Sequence, residues 1–140
     1  MHPGAVAVLA EPSPNHIILV NQFRKAPDCT LWEVPAGKLE PNEQPEESAR
    51  RELREETGFV AGNISLVHDF YTSPGFANEK IYVYYANELV RGEAEPDEDE
   101  FVEMKIFSRD EIERMLKNHE IHDAKTLVGL LWWSSRGERE

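Results

Sequence analysis

The sequence has 140 residues and 40% hydrophobic side chains, which suits one domain that builds its core without a disulfide or a structural metal. Its net charge of −12 argues against nonspecific binding to nucleic acid, which needs a basic surface. No apolar run reaches the roughly eighteen residues that span a bilayer, and no basic region precedes the first apolar stretch, so we expect no signal peptide. The lone cysteine, Cys29, cannot form an internal disulfide and is predicted to lie in a loop between strands, so we expect a cytoplasmic protein.

The first half of the chain predicts strands followed by a helix. Three short strands are expected, over residues 5–9, 17–23 and 31–34. The first two are separated by a turn rich in proline and asparagine and are predicted to pair as a hairpin. A helix is expected from about Glu46 to Thr57, because proline and acidic residues suit its first turn. Gly58 is a good terminator just past its end.

The second half predicts further strands and two more helices. Strands are expected over residues 64–71, 80–86 and 102–107, with an acidic loop over residues 91–100 before the last of them. Ser108 and Glu111 form a capping box that begins a helix over residues 109–118. Asp123 is a candidate cap for a final helix through Trp133. Strands on both sides of a central helix, with helices at the end, indicate a mixed α/β sandwich.

The central helix carries a cluster of carboxylates. Glu52 and Glu56 are four residues apart and share one face, and Glu55 borders that face. Carboxylates this close repel one another unless a cation compensates them, and Mg²⁺ or Ca²⁺ prefers such oxygen ligands. The alternative is a solvated face full of ion pairs, and the helix taken alone favours that alternative.

The residues before the helix favour a cation site over a solvated face of ion pairs. Gly37 is followed after five residues by Glu43 and, after seven more, by the segment Arg-Glu-Leu-Arg-Glu-Glu-Thr-Gly-Phe over residues 51–59. This pattern resembles the Nudix box at all nine of its specified positions. An ordered match of this length is far more specific than a short motif.

The resemblance implies a single Nudix domain over residues 1–140, folded as an α/β/α sandwich with a mixed sheet. It also implies an enzyme that hydrolyses a diphosphate bond with Mg²⁺, for which Mn²⁺ is a substitute. The implied metal ligands are Glu52, Glu55, Glu56 and the carbonyl of Ala36. Arg51 is implied to orient the glutamates, and Glu43 to brace the loop before the helix. Gly37 and Gly58 are expected to permit backbone turns that a side chain would hinder.

Downstream residues resemble the ADP-ribose diphosphatase group of this family. Pro74 stands 15 residues after Phe59, at the offset typical of that group. The resemblance implies a nucleoside diphosphate substrate that is bound by Arg24, Ser73, Pro74, Gly75 and Glu79. The structural alternatives are an ordinary Ser-Pro-Gly turn and solvated charges at strand ends. A guanidinium fork such as that of Arg24 suits phosphate.

The acidic loop offers a catalytic base. Box carboxylates that bind cations are poor bases, whereas a carboxylate off the metal is better suited to take a proton from water. In the family a mobile acidic loop at this place supplies the catalytic base or a further metal contact, and the first candidate for the base is Glu100, followed by Glu98. The alternative is that the acidic residues are only solvated.

The group also implies a homodimer, while the net charge and the lack of a long apolar run predict no nucleic acid or membrane partner. Its members have an N-terminal region of a few strands, and the present sequence begins where that region would end. Two other functions stay open. One is hydrolysis of another nucleoside diphosphate sugar, since neither fold nor box sets the base or sugar. The other is a noncatalytic ligand sensor, which should have lost a metal glutamate.

Overall fold

The computed structural model describes residues 4–26, 28–73, 75, 79–92 and 103–137. Within these ranges the chain forms seven strands and three helices: β1 (Ala5–Ala10), β2 (His16–Arg24), β3 (Cys29–Glu33), β4 (Ala36–Lys38), α1 (Pro45–Thr57), β5 (Phe59–Tyr71), β6 (Lys80–Arg91), β7 (Glu103–Ser108), α2 (Arg109–Lys117) and α3 (Ala124–Ser135). None of these helices is long and apolar enough to cross a membrane.

The strands form two sheets, ordered β4-β1-β6-β5 and β3-β2-β7. β1 is parallel to β6, and the other pairs are antiparallel, so the first sheet is mixed. The predicted β1–β2 hairpin is wrong, because the two strands lie in different sheets. Every residue of β1 is buried, as in a central strand, and β4 and β6 occupy its two edges. The Glu11 N–H donates to the Ala86 carbonyl at 2.9 Å, which extends the pairing with β6 rather than turning the chain back.

Helices cover both faces of the strand layer. Alternate residues of β1 point to opposite sides: Val6 and Val8 join a cluster with Ala49 and Leu53 of α1. The intervening residues of β1 join a second cluster with α2 and α3, in which the helical members include Ile112, Leu130 and Trp133. The predicted α/β/α sandwich is therefore confirmed.

The helix ends follow the sequence signals closely. Gly58 ends α1 with a φ of 80°, a left-handed conformation that favours glycine. The capping box of Ser108 and Glu111 begins α2, and Asp123 caps α3 by accepting from Thr126 N. Cys29 is an exposed first residue of β3 rather than a loop residue.

Candidate active site

The N-terminal part of the box places β4 directly against α1. A Cβ atom added to Gly37 would lie 1.3 Å from Glu52 Oε2 and 2.1 Å from Glu52 Cδ, so the Glu52 carboxylate occupies the space that a side chain would need. Gly37 is absent from the positive-φ glycines of the described chain, which include Gly58. The predicted reason for Gly37 is therefore corrected: glycine is needed for close approach of a carboxylate, not for a turn.

Arg51 links the loop before α1 to the glutamates on it. Its Nε and Nη2 donate to the two oxygens of Glu43 at 2.8 and 3.0 Å. Its Nη1 donates to Glu52 Oε1 at 3.0 Å and to Glu55 Oε2 at 3.2 Å. Glu43 Oε1 also accepts from the N–H of Glu40 at 2.9 Å. These contacts fit the orienting and bracing roles that the sequence predicts for Arg51 and Glu43, which stay predictions.

The carboxylates of this site differ in their affinity for protons. The hydrogen bond from Arg51 lowers the pKa of Glu43 to about 2. Burial raises the pKa of Glu56 to about 7, and the hydrogen bond from the Ala36 N–H to its Oε1, at 3.2 Å, opposes this rise. Burial also raises the pKa of Glu52 against the opposing charge of Arg51. Glu52 and Glu56 are thus carboxylates whose negative charge is poorly compensated by the protein.

The donor set fits a divalent cation in part. A hard cation would supply the compensation that Glu52 and Glu56 lack, through the oxygen ligands it prefers. Within the described ranges, no three acidic, histidine or cysteine side chains are already grouped so that they could hold a metal ion. The carboxylate of Glu55 is 40% exposed and bonded to Arg51, so it would join the site only by rotating away from that contact.

A cavity of about 510 Å³ lies beside β4 and the Glu56 side chain of α1. Ala36, Gly37 and Glu56 form part of its wall, and two predicted substrate residues, Arg24 and Glu79, also line it. Ser73 and Gly75 are described but do not line this cavity. Three further predicted site residues lie outside the described part of the chain, and their roles stay predictions: Pro74, Glu98 and Glu100.

Sequence reasoning missed two charged residues beside Arg24, namely Glu33 and Lys125. Asp123 and Lys125, at the start of α3, line the cavity beside Arg24. Arg24 and Lys125 both contact the carboxylate of Glu33, at 2.6 and 3.1 Å, and this carboxylate is only 1% exposed. A charged residue at the end of a short, mostly apolar strand was the available signal for Glu33.

The model of the NUDIX domain family matches residues 1–129. The chain belongs to this family. The prediction of a Nudix hydrolase is therefore confirmed. Nudix hydrolases generally use divalent metal ions, in agreement with the carboxylates of α1.

Similar proteins carry several names. An ADP-ribose pyrophosphatase of Bacillus subtilis (strain 168) is 49% identical over 131 residues, covering 92% of this chain and 71% of that protein. A methanol dehydrogenase activator of Bacillus methanolicus is 44% identical with the same coverage of both chains. A GDP-mannose pyrophosphatase of Enterobacter sp. (strain 638) is 32% identical, covering 96% and 74%. The crystal structure of an ADP compounds hydrolase superposes with a TM-score of 0.83 at 22% identity, covering 96% and 74%, which shows the shared fold.

Proposed function

We propose that the chain hydrolyses the diphosphate bond of ADP-ribose to AMP and ribose 5-phosphate, with Mg²⁺ as its cation and Mn²⁺ as a substitute. The observation that carries this proposal is the pair of partly buried carboxylates on α1, Glu52 and Glu56, of which Glu56 lines a cavity that Arg24 also lines. Similarity to the B. subtilis ADP-ribose pyrophosphatase supports the choice of substrate.

The chain's own residues would hold the cation and keep it in place. Glu52 and Glu56 would bind it, together with the carbonyl of Ala36 and, after rotation, Glu55. Arg51 keeps Glu52 aligned through the 3.0 Å hydrogen bond, while Gly37 leaves room for the carboxylate. When bound, a divalent cation neutralises charge on the phosphates and lowers the pKa of a bound water.

A base outside the box completes the proposal. We place it in the acidic loop, at Glu100 or Glu98, because the box carboxylates are committed to cations and therefore have low proton affinity when loaded. Glu98→Gln and Glu100→Gln should be compared singly with the unmodified chain at saturating Mg²⁺. The expected result is a tenfold or greater loss of kcat in one of them with unchanged Mg²⁺ affinity. If both keep their kcat, the base lies elsewhere.

The choice of substrate is tested by a direct comparison. If Arg24, Glu79 and the loop over residues 73–75 bind the substrate, kcat/KM should be higher for ADP-ribose than for a nucleoside triphosphate or for GDP-mannose. The relative named GDP-mannose pyrophosphatase supports the alternative of another nucleoside diphosphate sugar. A preference for GDP-mannose would establish that alternative. The sensor function is less well supported, because all three metal glutamates are present in the sequence.

We also propose a cytoplasmic homodimer. Closed two-fold dimers are the commonest oligomers, and α3 exposes three apolar side chains on its outer surface: Leu127, Val128 and Leu131. Light scattering at micromolar concentration should give twice the mass of one chain. A dimer that uses this surface should dissociate in Leu131→Glu, and a monomeric unmodified chain would contradict the proposal.

A further inference from the structure

The wall of the cavity carries a second charged cluster that lies outside the Nudix box. Arg24 is the last residue of β2, and Glu33 is the last residue of β3. Arg24 Nε donates to Glu33 Oε2 at 2.7 Å, and Arg24 Nη2 donates to Glu33 Oε1 at 2.6 Å. This two-point contact fixes the plane of the guanidinium, because each of its two N–H groups has its own oxygen.

The two partners differ sharply in exposure. The Glu33 side chain is 1% exposed, whereas that of Arg24 is 43% exposed and lines the cavity. A buried carboxylate is costly unless it is paired and hydrogen-bonded, so Glu33 must have partners of this kind. Arg24 keeps further N–H groups beyond the two bonded to Glu33, and these are available to an oxygen of a ligand in the cavity.

Lys125 holds the same carboxylate from the side of α3. Its Nζ donates to Glu33 Oε1 at 3.1 Å and to both oxygens of Asp123 at 3.0 Å. The three donors of the ammonium group are therefore committed within the protein, which makes Lys125 a brace rather than a ligand for substrate. Thr126 completes the junction, since its hydroxyl accepts from the Val34 N–H at 3.1 Å and donates to Asp123 at 2.6 Å.

We propose that Glu33 is a positioning residue for phosphate recognition, which fixes the guanidinium of Arg24 for the diphosphate of the substrate and is itself held by Lys125. This inference rests on the proposed function. A guanidinium that is already oriented loses less freedom when it binds phosphate, so the benefit falls on substrate affinity. The competing explanation is that the cluster only joins β2, β3 and α3.

A double-mutant cycle separates the two explanations. KM and kcat for ADP-ribose are measured at saturating Mg²⁺ in Arg24→Ala, Glu33→Gln and the double variant. If Glu33 acts through Arg24, Glu33→Gln raises KM tenfold or more and changes kcat less than threefold. In the Arg24→Ala background the same change should alter KM less than twofold. An equal effect of Glu33→Gln in both backgrounds would overturn the proposal.

Lys125→Met tests the same proposal while the buried carboxylate of Glu33 is kept. It should raise KM about threefold, whereas Lys117→Met, which removes an exposed lysine of α2, should leave KM unchanged. The dissociation constant of a methylene-bridged analogue of ADP-ribose, measured by calorimetry with Mg²⁺, should rise in Glu33→Gln and Lys125→Met by the same factors as KM.

The two proposals fail in different ways. Absence of ADP-ribose hydrolysis by the unmodified chain refutes the proposed function, while the analogue still reports on binding. Unchanged analogue affinity in Glu33→Gln and Lys125→Met refutes the positioning role, even if the unmodified chain is fully active.

Discussion

Gly37→Ala tests whether Glu52 is held against β4 as the structure describes. The new Cβ would lie 1.3 Å from Glu52 Oε2, which is far inside van der Waals distance, so the Glu52 side chain must rotate and move its carboxylate away from β4. That rotation breaks the 3.0 Å hydrogen bond from Arg51 Nη1. A hydrogen bond to a charged group contributes about 1.5–3 kcal/mol, and Glu52 is only 12% exposed, so screening by solvent is modest.

We therefore expect Gly37→Ala to lower the free energy of unfolding by about 2 kcal/mol, which corresponds to a fall in Tm of roughly 6 °C for a domain of this size. Turnover should fall at least about a hundredfold, because the substitution displaces a proposed cation ligand, whose charge stabilisation is worth several kcal/mol. Thermal denaturation and steady-state turnover measure the two effects.

Glu52→Ala provides the matched background for this test. Once the Glu52 side chain is absent, Gly37→Ala meets no carboxylate, and the loss of backbone freedom in the unfolded chain makes it neutral or stabilising by up to about 1 kcal/mol. An equal fall in Tm in both backgrounds would refute the steric explanation, as would a Gly37→Ala variant with full turnover.

Three further substitutions test other parts of the site. Glu56→Gln should lower turnover at least about a hundredfold while Tm is maintained, and near-normal turnover at saturating Mg²⁺ would remove Glu56 from the ligands. Because Arg51 lowers the pKa of Glu43 from 4.5 to about 2 in the folded protein, Glu43 stabilises the fold above pH 4.5 and loses this effect as pH falls toward 2. The Tm difference between the unmodified chain and Glu43→Gln should therefore be largest above about pH 5 and close on acidification; a constant difference would contradict the ion pair. Gly58→Ala should lower the free energy of unfolding by about 1–2 kcal/mol, because alanine is strained at the φ of 80° that Gly58 adopts. Its kcat, measured well below Tm, should be unchanged, since the substitution acts on stability and not on catalysis.

Local signals predicted the central helix and its ends well. The positions of Glu43, Arg51 and the glutamates of α1 follow from one contiguous motif, and Gly58 ends α1 by its own conformational preference. Such features depend on neighbours within a few residues, so the sequence pattern carries them. The same holds for the capping box that begins α2.

Features that depend on distant contacts were missed or misassigned. The bond from Lys125 to Glu33 joins residues 92 positions apart, and no periodicity marks such a pair. The β1–β2 hairpin was predicted from the turn between the strands, but the buried position of β1 between β4 and β6 overrides that local preference. β4, with three residues, is too short to produce a pattern of its own.

The central claim is that carboxylates of α1 support cation-dependent cleavage of a diphosphate. The most direct measurement follows the products from ADP-ribose by ion-exchange chromatography, with Mg²⁺ and with excess EDTA. We predict AMP and ribose 5-phosphate in equal amounts with Mg²⁺, and no products with EDTA. Cleavage that persists without divalent cations, or an absence of cleavage with Mg²⁺ or Mn²⁺, would contradict the claim.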